Sequence, residues 1–177
     1  MTKKKTVTFE EITNNNNQWY ITPFDAKNLV KDEKLFGYEF CDIELGKVRR
    51  YKHKKFTTLK ETVNYQFLSN QNSKEALAKY VEYCKDPVNL EDNNRSPEIF
   101  VNLYKKILQE GYDPKKGVIV IDQYDSIVIG LHRACSLLLI HGENKKIPVL
   151  KINIRSSSRM FFANLIYNFI KKLKQKR

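Results

Sequence analysis

In the stretch GLHRACS, Gly130, His132, Arg133 and Ser136 stand together where the residue types change character. The run before it, SIVI, is β-branched, and the run after it, LLLIHG, is apolar, so the chain passes from strand to helix at Gly130. A helix that begins there leaves its first N–H groups without helical partners and gathers partial positive charge at that end. Glycine lets an anion approach such a backbone closely. Cations in a first turn oppose the helix dipole, so His132 and Arg133 make most sense with something negative bound between them. Phosphate fits the charge, the donor geometry and the fork of the guanidinium. The competing reading pairs Arg133 with a nearby acid and leaves His132 on the surface or bonded to a backbone carbonyl. His141, in the last turn of the same helix, is accounted for by the dipole alone. His53, in YKHKK, belongs to a solvated face.

Several elements must position this junction. YEFCDIEL alternates Phe40, Asp42 and Glu44 against Cys41, Ile43 and Leu45 and reads as a half-buried strand ended by Gly46. KVRRYKHKKFTT is dense in charge and carries no clear period. Ser73 caps a helix bearing Leu77, Tyr80, Val81 and Cys84, which Pro87 stops. RSPE is a stronger start, with Ser96 at the N-cap, Pro97 at the first helical position and Glu98 in the first turn. From there Ile99, Leu103 and Ile107 run beside Phe100, Tyr104 and Leu108 until Gly111. VIVI at 118–121 reads as a strand covered on both faces, Asp122 to Asp125 as a turn, and Ile127 to Ile129 as the returning strand. The helix Leu131 to His141 closes at Gly142, and IPVLKINI is a further strand with Pro148 near its edge. The expected fold is therefore a single mixed α+β domain over 18–154. Residues 1–17, ending in NNNN, form a flexible lead-in, and 155–177 a basic amphipathic helix.

The chain of 177 residues is 41% hydrophobic, carries a formal charge of +12, and can bury a core of its own. Its basic residues concentrate in TKKK and KKLKQKR, and a basic tail is more often a solvated end than a binding site for an anionic partner. Cys41, Cys84 and Cys135 are widely spaced, with no paired motif and no zinc-like cluster, and read as reduced core thiols. TVTFEEIT is broken by paired acids and resembles no signal peptide, and no apolar run approaches a membrane span. A cytoplasmic protein is the expectation.

The order strand, turn, strand, GLHRACS, helix, HG and IPV resembles the ParB/sulfiredoxin superfamily over about Leu103 to Ile152. That likeness implies a mixed sheet with flanking helices and a phosphate site at a G-x-H-R turn. Sulfiredoxins carry their reactive cysteine where this chain has Leu131, which argues against that chemistry. Partition proteins add a separate DNA-binding domain, for which there is no room after Ile154. The free serine kinase branch implies a nucleotide on the His-Arg turn and a glutamate base from the loop after the first strand, although its D-G-H-H-R meets Ile129 and Leu131 here. LKETVNYQFL, RSPEIF and GLHRAC together are also similar to stand-alone ParB-like proteins of surface-polysaccharide gene clusters, a likeness that implies a small-molecule role.

The resemblance thus points to a nucleotide-dependent small-molecule kinase using ATP or ADP with magnesium. Gly130, His132, Arg133 and Ser136 surround the phosphates, and Glu61 and His132 are the catalytic pair, Glu61 being the base. Thr62, Asn64 and Tyr65 face the substrate, and Arg95 holds an acidic group on it. Asp122 and Asp125 are turn formers, set apart from Gly130 by the length of a strand. The rival reading of LKETVNYQFL is a short surface helix with Glu61 exposed. The rival function is a nucleotide-regulated DNA- or partner-binding protein that uses its basic tails, and a third reading docks Met160 to Ile170 on an anionic membrane.

Overall fold

The computed structural model describes residues 35–52, 54–85 and 96–154. The lead-in at 1–17, the C-terminal segment 155–177, His53, Pro87 and Arg95 lie outside the described residues.

The architecture is mixed α+β. Strands β1 (Leu35–Glu44), β4 (Val120–Asp122), β5 (Ile127–Ile129) and β6 (Lys146–Ile154) form one sheet in the order β1-β6-β4-β5. β1 and β5 run antiparallel to their neighbours, and β4 runs parallel to β6. A separate hairpin joins β2 (Arg49–Lys52) to β3 (Lys55–Thr58). Helices α1 (Val63–Ser69), α2 (Lys74–Lys85), α3 (Pro97–Glu110) and α4 (Leu131–His141) complete the described part.

The continuous apolar run at 118–121 is buried throughout, because its strand lies between β6 and β5. β6 is likewise interior, so Pro148 is not on an edge strand. Its missing N–H costs nothing on the β4 side, since that ladder begins only at Leu150. Ser96 caps α3 by accepting from the Ile99 N–H at 3.2 Å, and Ser73 does the same for α2 from Ala76 at 3.2 Å.

The hairpin β2–β3 is an addition to the strands expected, and its charge density hid it. Arg49 is almost fully buried, its guanidinium 4.7 Å from the Phe56 ring centroid and donating to the Tyr124 carbonyl. Arginine stems and an aromatic ring here supply the packing that aliphatic residues give other strands. The hairpin is fastened to the β4–β5 turn: Arg49 N–H donates to Asp125 O at 2.9 Å, and Tyr51 N–H to Ser126 Oγ at 3.0 Å.

α4 is the central helix. Ala134, Leu137 and Leu138 pack toward the sheet among Ile43, Ile119, Ile121 and Val149. Cys135 faces the other way, into a cluster of Phe67, Leu68, Tyr80 and Phe100 from α1, α2 and α3. A helix covered on two sides holds both ends in fixed places relative to the sheet.

Candidate functional site

The start of α4 is built by two glycines and a tyrosine. Gly130 takes the left-handed conformation (φ 88°, ψ 28°), and a Cβ there would stand 3.2 Å from the Ile119 Cα. Conformation and packing both select glycine, because the backbone at Val118 and Ile119, just before β4, lies directly beneath. No side chain caps this end; the first helical bond runs from Ala134 N–H to Gly130 O at 2.9 Å. The amides of Leu131, His132 and Arg133 therefore lie ahead of the helical ladder.

Arg133 turns toward the loop before β4. Its guanidinium lies against Gly117, where a Cβ would come within 2.6 Å of Cζ. Among the described residues no carboxylate forms an ion pair with it. Tyr112, in the same loop, accepts from Ile119 N–H at 3.0 Å through its hydroxyl. Burial pushes that phenol up to about 12, against the pull of the backbone bond and of Arg133, so it remains a neutral hydroxyl.

His132 diverges from Arg133. Its Nε2 lies 2.9 Å from Tyr80 Oη and its ring 4.3 Å from that of Phe100, inside the aromatic cluster. Tyr80 in turn stacks on Phe67 at 4.5 Å. Ser136 is fully buried and donates to its own helix at His132 O, 2.9 Å away. Gly130 and Arg133 thus meet at the helix start, while His132 and Ser136 face inward.

The segment before α1 runs alongside α4. Glu61 Oε2 accepts from Thr58 N–H at 2.7 Å and Thr58 Oγ1 at 3.0 Å, a capping box at a short 3-10 turn. Thr62 donates to Leu59 O at 2.6 Å, accepts from Tyr65 N–H at 3.2 Å, and lies 3.6 Å from Cys135 Sγ. Lys60 pairs with Glu143 at 2.9 Å, just past the end of α4. Glu61 lies between these two anchors, one at Cys135, about 7–8 Å along α4 from Gly130, and one just past the end of the helix. Its carboxylate is turned to Thr58. Asn64 is fully buried, and Tyr65 packs against both core clusters.

Asp122 ends β4 in the turn expected of it, its Oδ1 accepting from Tyr124 N–H at 2.8 Å and Ser126 N–H at 2.9 Å. Burial raises its pKa, partly offset by those bonds and by Arg49. Cys135 is a core thiol, driven by burial to about 12. Among the described residues no group of three His, Cys, Asp or Glu side chains is placed to hold a metal, and no helix is long and apolar enough to cross a membrane.

Two concavities lie on the α1–α2 side. One of about 220 Å³ is lined by Gln66, Asn70, Ser73 and Glu75 among others, and a wider one of about 730 Å³ by Lys52, Val63, Tyr83 and Lys85 among others. Neither includes Gly130 or Arg133. Sequence reasoning passed over Gly117 and Arg50. Gly117 was legible only as the end of GYDPKKG, and Arg50 only as one more charge in KVRRYKHKK.

No family model, no curated protein and no solved structure matches this chain.

Proposed function

We propose that this chain has a ParB/sulfiredoxin-like fold that binds a nucleoside di- or triphosphate at the start of α4, and transfers a phosphoryl group to a small hydroxylated metabolite. The observation that carries the reading is the arrangement around Gly130. A left-handed glycine packs on Ile119, just before β4, the first-turn amides lack a side-chain cap, and Arg133 lies over Gly117 with no ion-pair partner among the described residues. Uncapped amides and a forked cation on one side of a helix start are what phosphate oxygens require.

In this reading Arg133 and the amides of Leu131 and His132 hold the phosphates, and the neutral Tyr112 hydroxyl keeps the neighbouring loop in register through Ile119. His132 acts by position: its bond to Tyr80 and its packing on Phe100 set the first turn of α4. A bound nucleotide supplies the phosphoryl donor, and magnesium comes with its phosphates rather than from a cage of protein ligands. Glu61, whose carboxylate accepts from Thr58, is assigned no step.

Thermal unfolding of the purified chain with ATP or ADP, each with and without magnesium, tests the binding, since a ligand of the native state raises the melting temperature by mass action. Transfer of labelled phosphate to a panel of hydroxylated metabolites tests the chemistry. No shift with any nucleotide, together with no transfer and no hydrolysis, overturns the proposal.

One observation favours a second reading: the carboxylate of Glu61, expected as base, is engaged in the capping box with Thr58. A nucleotide-regulated protein that binds DNA or a partner needs no base. It predicts DNA affinity that falls steeply with salt and is lost when KKLKQKR is removed.

A further inference from the structure

Between Glu44 and Glu61 the chain carries Lys and Arg but no acid, and the hairpin β2–β3 is built from that stretch. Its two faces differ. Arg49, Tyr51 and Phe56 share one, where the Tyr51 and Phe56 ring centroids lie 5.0 Å apart and the hairpin rests on the β4–β5 turn. Arg50, Lys52 and Lys55 share the other, by the alternation of the strands. Arg50 fastens this face to α2, its Nη2 donating to Tyr83 Oη at 2.8 Å, and Lys52 Nζ lies 4.9 Å from the centroid of the same ring.

Two features of the hairpin turn oppose its own stability. Lys52 stands directly opposite Lys55 across the strands, where like charges repel. Lys54 is exposed and takes a left-handed φ of 64°, a conformation that glycine and asparagine adopt at less cost. Among the described residues no carboxylate forms an ion pair with Lys54 or Lys55. An anion lying over the turn removes the repulsion and gives three clustered lysines a common partner.

The turn borders a concavity of about 730 Å³, lined by Lys52, Lys79, Tyr83 and Lys85, with Glu82 the one carboxylate among its lining residues. Lys79 is matched by Glu75 at 2.6 Å. Positive charge therefore runs from Lys85 on α2 through Lys52 to Lys55, as a row and not a point. Lysines are flexible point charges, suited to successive phosphates along a strand more than to the fixed grip a small metabolite needs. Among the described residues the hairpin exposes no large apolar side chain that would anchor it in a membrane surface.

We propose that this groove and the hairpin turn bind the phosphate backbone of single-stranded nucleic acid, one strand passing from Lys85 along Lys52 to Lys54 and Lys55. Arg50 and Lys52 already lie over the Tyr83 ring, at 5.1 and 4.9 Å from its centroid, so base stacking there is not the source of affinity and binding tolerates any sequence. The site rests neither on the nucleotide reading at Gly130 nor on the basic tail.

Fluorescence anisotropy of a labelled mixed-sequence DNA oligonucleotide, titrated with the full chain at several salt concentrations, tests it. Binding should saturate, and the logarithm of affinity should fall linearly with that of salt. Lys54→Gln/Lys55→Gln should weaken binding about ten-fold or more at low salt and make the slope shallower by about 0.7 per lysine, and Lys85→Gln should lower it by one such step. Arg133→Gln should bind as the unaltered chain does. With the lysines of KKLKQKR changed to glutamine, the hairpin substitutions should still lower the slope. The proposal is overturned if the oligonucleotide does not bind saturably, if the folded hairpin double variant keeps the original slope, if neutralising the tail alone abolishes binding, or if a duplex of the same sequence displaces the strand at lower concentration than the strand itself.

Discussion

Replacing Gly117 by alanine tests whether Arg133 is held in place for phosphate. An added Cβ would stand 2.6 Å from the guanidinium Cζ, short of ordinary contact at 3.4 Å by about 0.8 Å. The obstacle is the far end of a side chain, so Arg133 moves rather than the backbone. A shift of that size takes a charge-assisted hydrogen bond of ~2.9 Å out past the range in which it counts as one. The loss is about 1.5–3 kcal/mol per such bond, or roughly 10- to 150-fold in nucleotide affinity. The alanine at this φ of 154° also carries a strain of roughly 1–3 kcal/mol, within the stability of about 5–15 kcal/mol expected of a domain, so the fold survives. Titration calorimetry with ATP and ADP, run on Gly117→Ala, Arg133→Ala and the double variant, separates the effects. Gly117→Ala should weaken binding in the native background and add little once Arg133 is gone, because the two substitutions act through one guanidinium. Unchanged affinity in a folded Gly117→Ala, or an equal loss in both backgrounds, would refute the argument.

Tyr80→Phe keeps the ring stack on Phe67 but removes the hydroxyl from His132, and should cost about 1–2 kcal/mol in denaturant unfolding; a change of a few tenths would show that the bond contributes little. Burial raises the Asp122 pKa, so the folded state favours the protonated acid, and its stabilising effect is lost as pH rises through the raised value. Asp122→Asn keeps the Oδ1 acceptor without the charge, and urea unfolding should show the variant gaining on the native chain as pH rises from about 3 through the carboxylate range; a gain in the opposite direction contradicts the assignment. Cys135, fully buried and with its pKa pushed to about 12, should stay unreactive to a thiol reagent until the chain unfolds, while the partly exposed Cys41 and Cys84 are open to it. Labelling of all three thiols in the native protein would show that α4 is not the covered helix described.

Much of the α+β order was legible because local rules agreed with the tertiary result. Ser96-Pro97-Glu98 started α3 where capping chemistry requires, and Gly130 and Gly142 bounded α4 at their positive φ angles. Ile127–Ile129 formed the returning strand at its expected limits. The hairpin of β2 and β3 was not legible, since its packing comes from Arg49 over Phe56 and from bonds to Asp125 and Ser126, far along the chain. The two apolar rows of α3 likewise concealed that Ile99 and Leu108 are exposed while Phe100 and Ile107 are buried.

The site divides along the same line. Residue type and spacing alone determined that a glycine starts α4 and that a cation stands in its first turn. Only tertiary structure decided that His132 turns into the Tyr80–Phe100 cluster while Arg133 turns to Gly117, because successive residues on a helix point about 100° apart and α4 is covered on two sides. It decided as well that Thr62 lies against Cys135 and Lys60 against Glu143, which sets the turn carrying Glu61 along the side of α4. Sequence spacing carries the period of one helix, but which side chains of another segment lie against it depends on how the two pack.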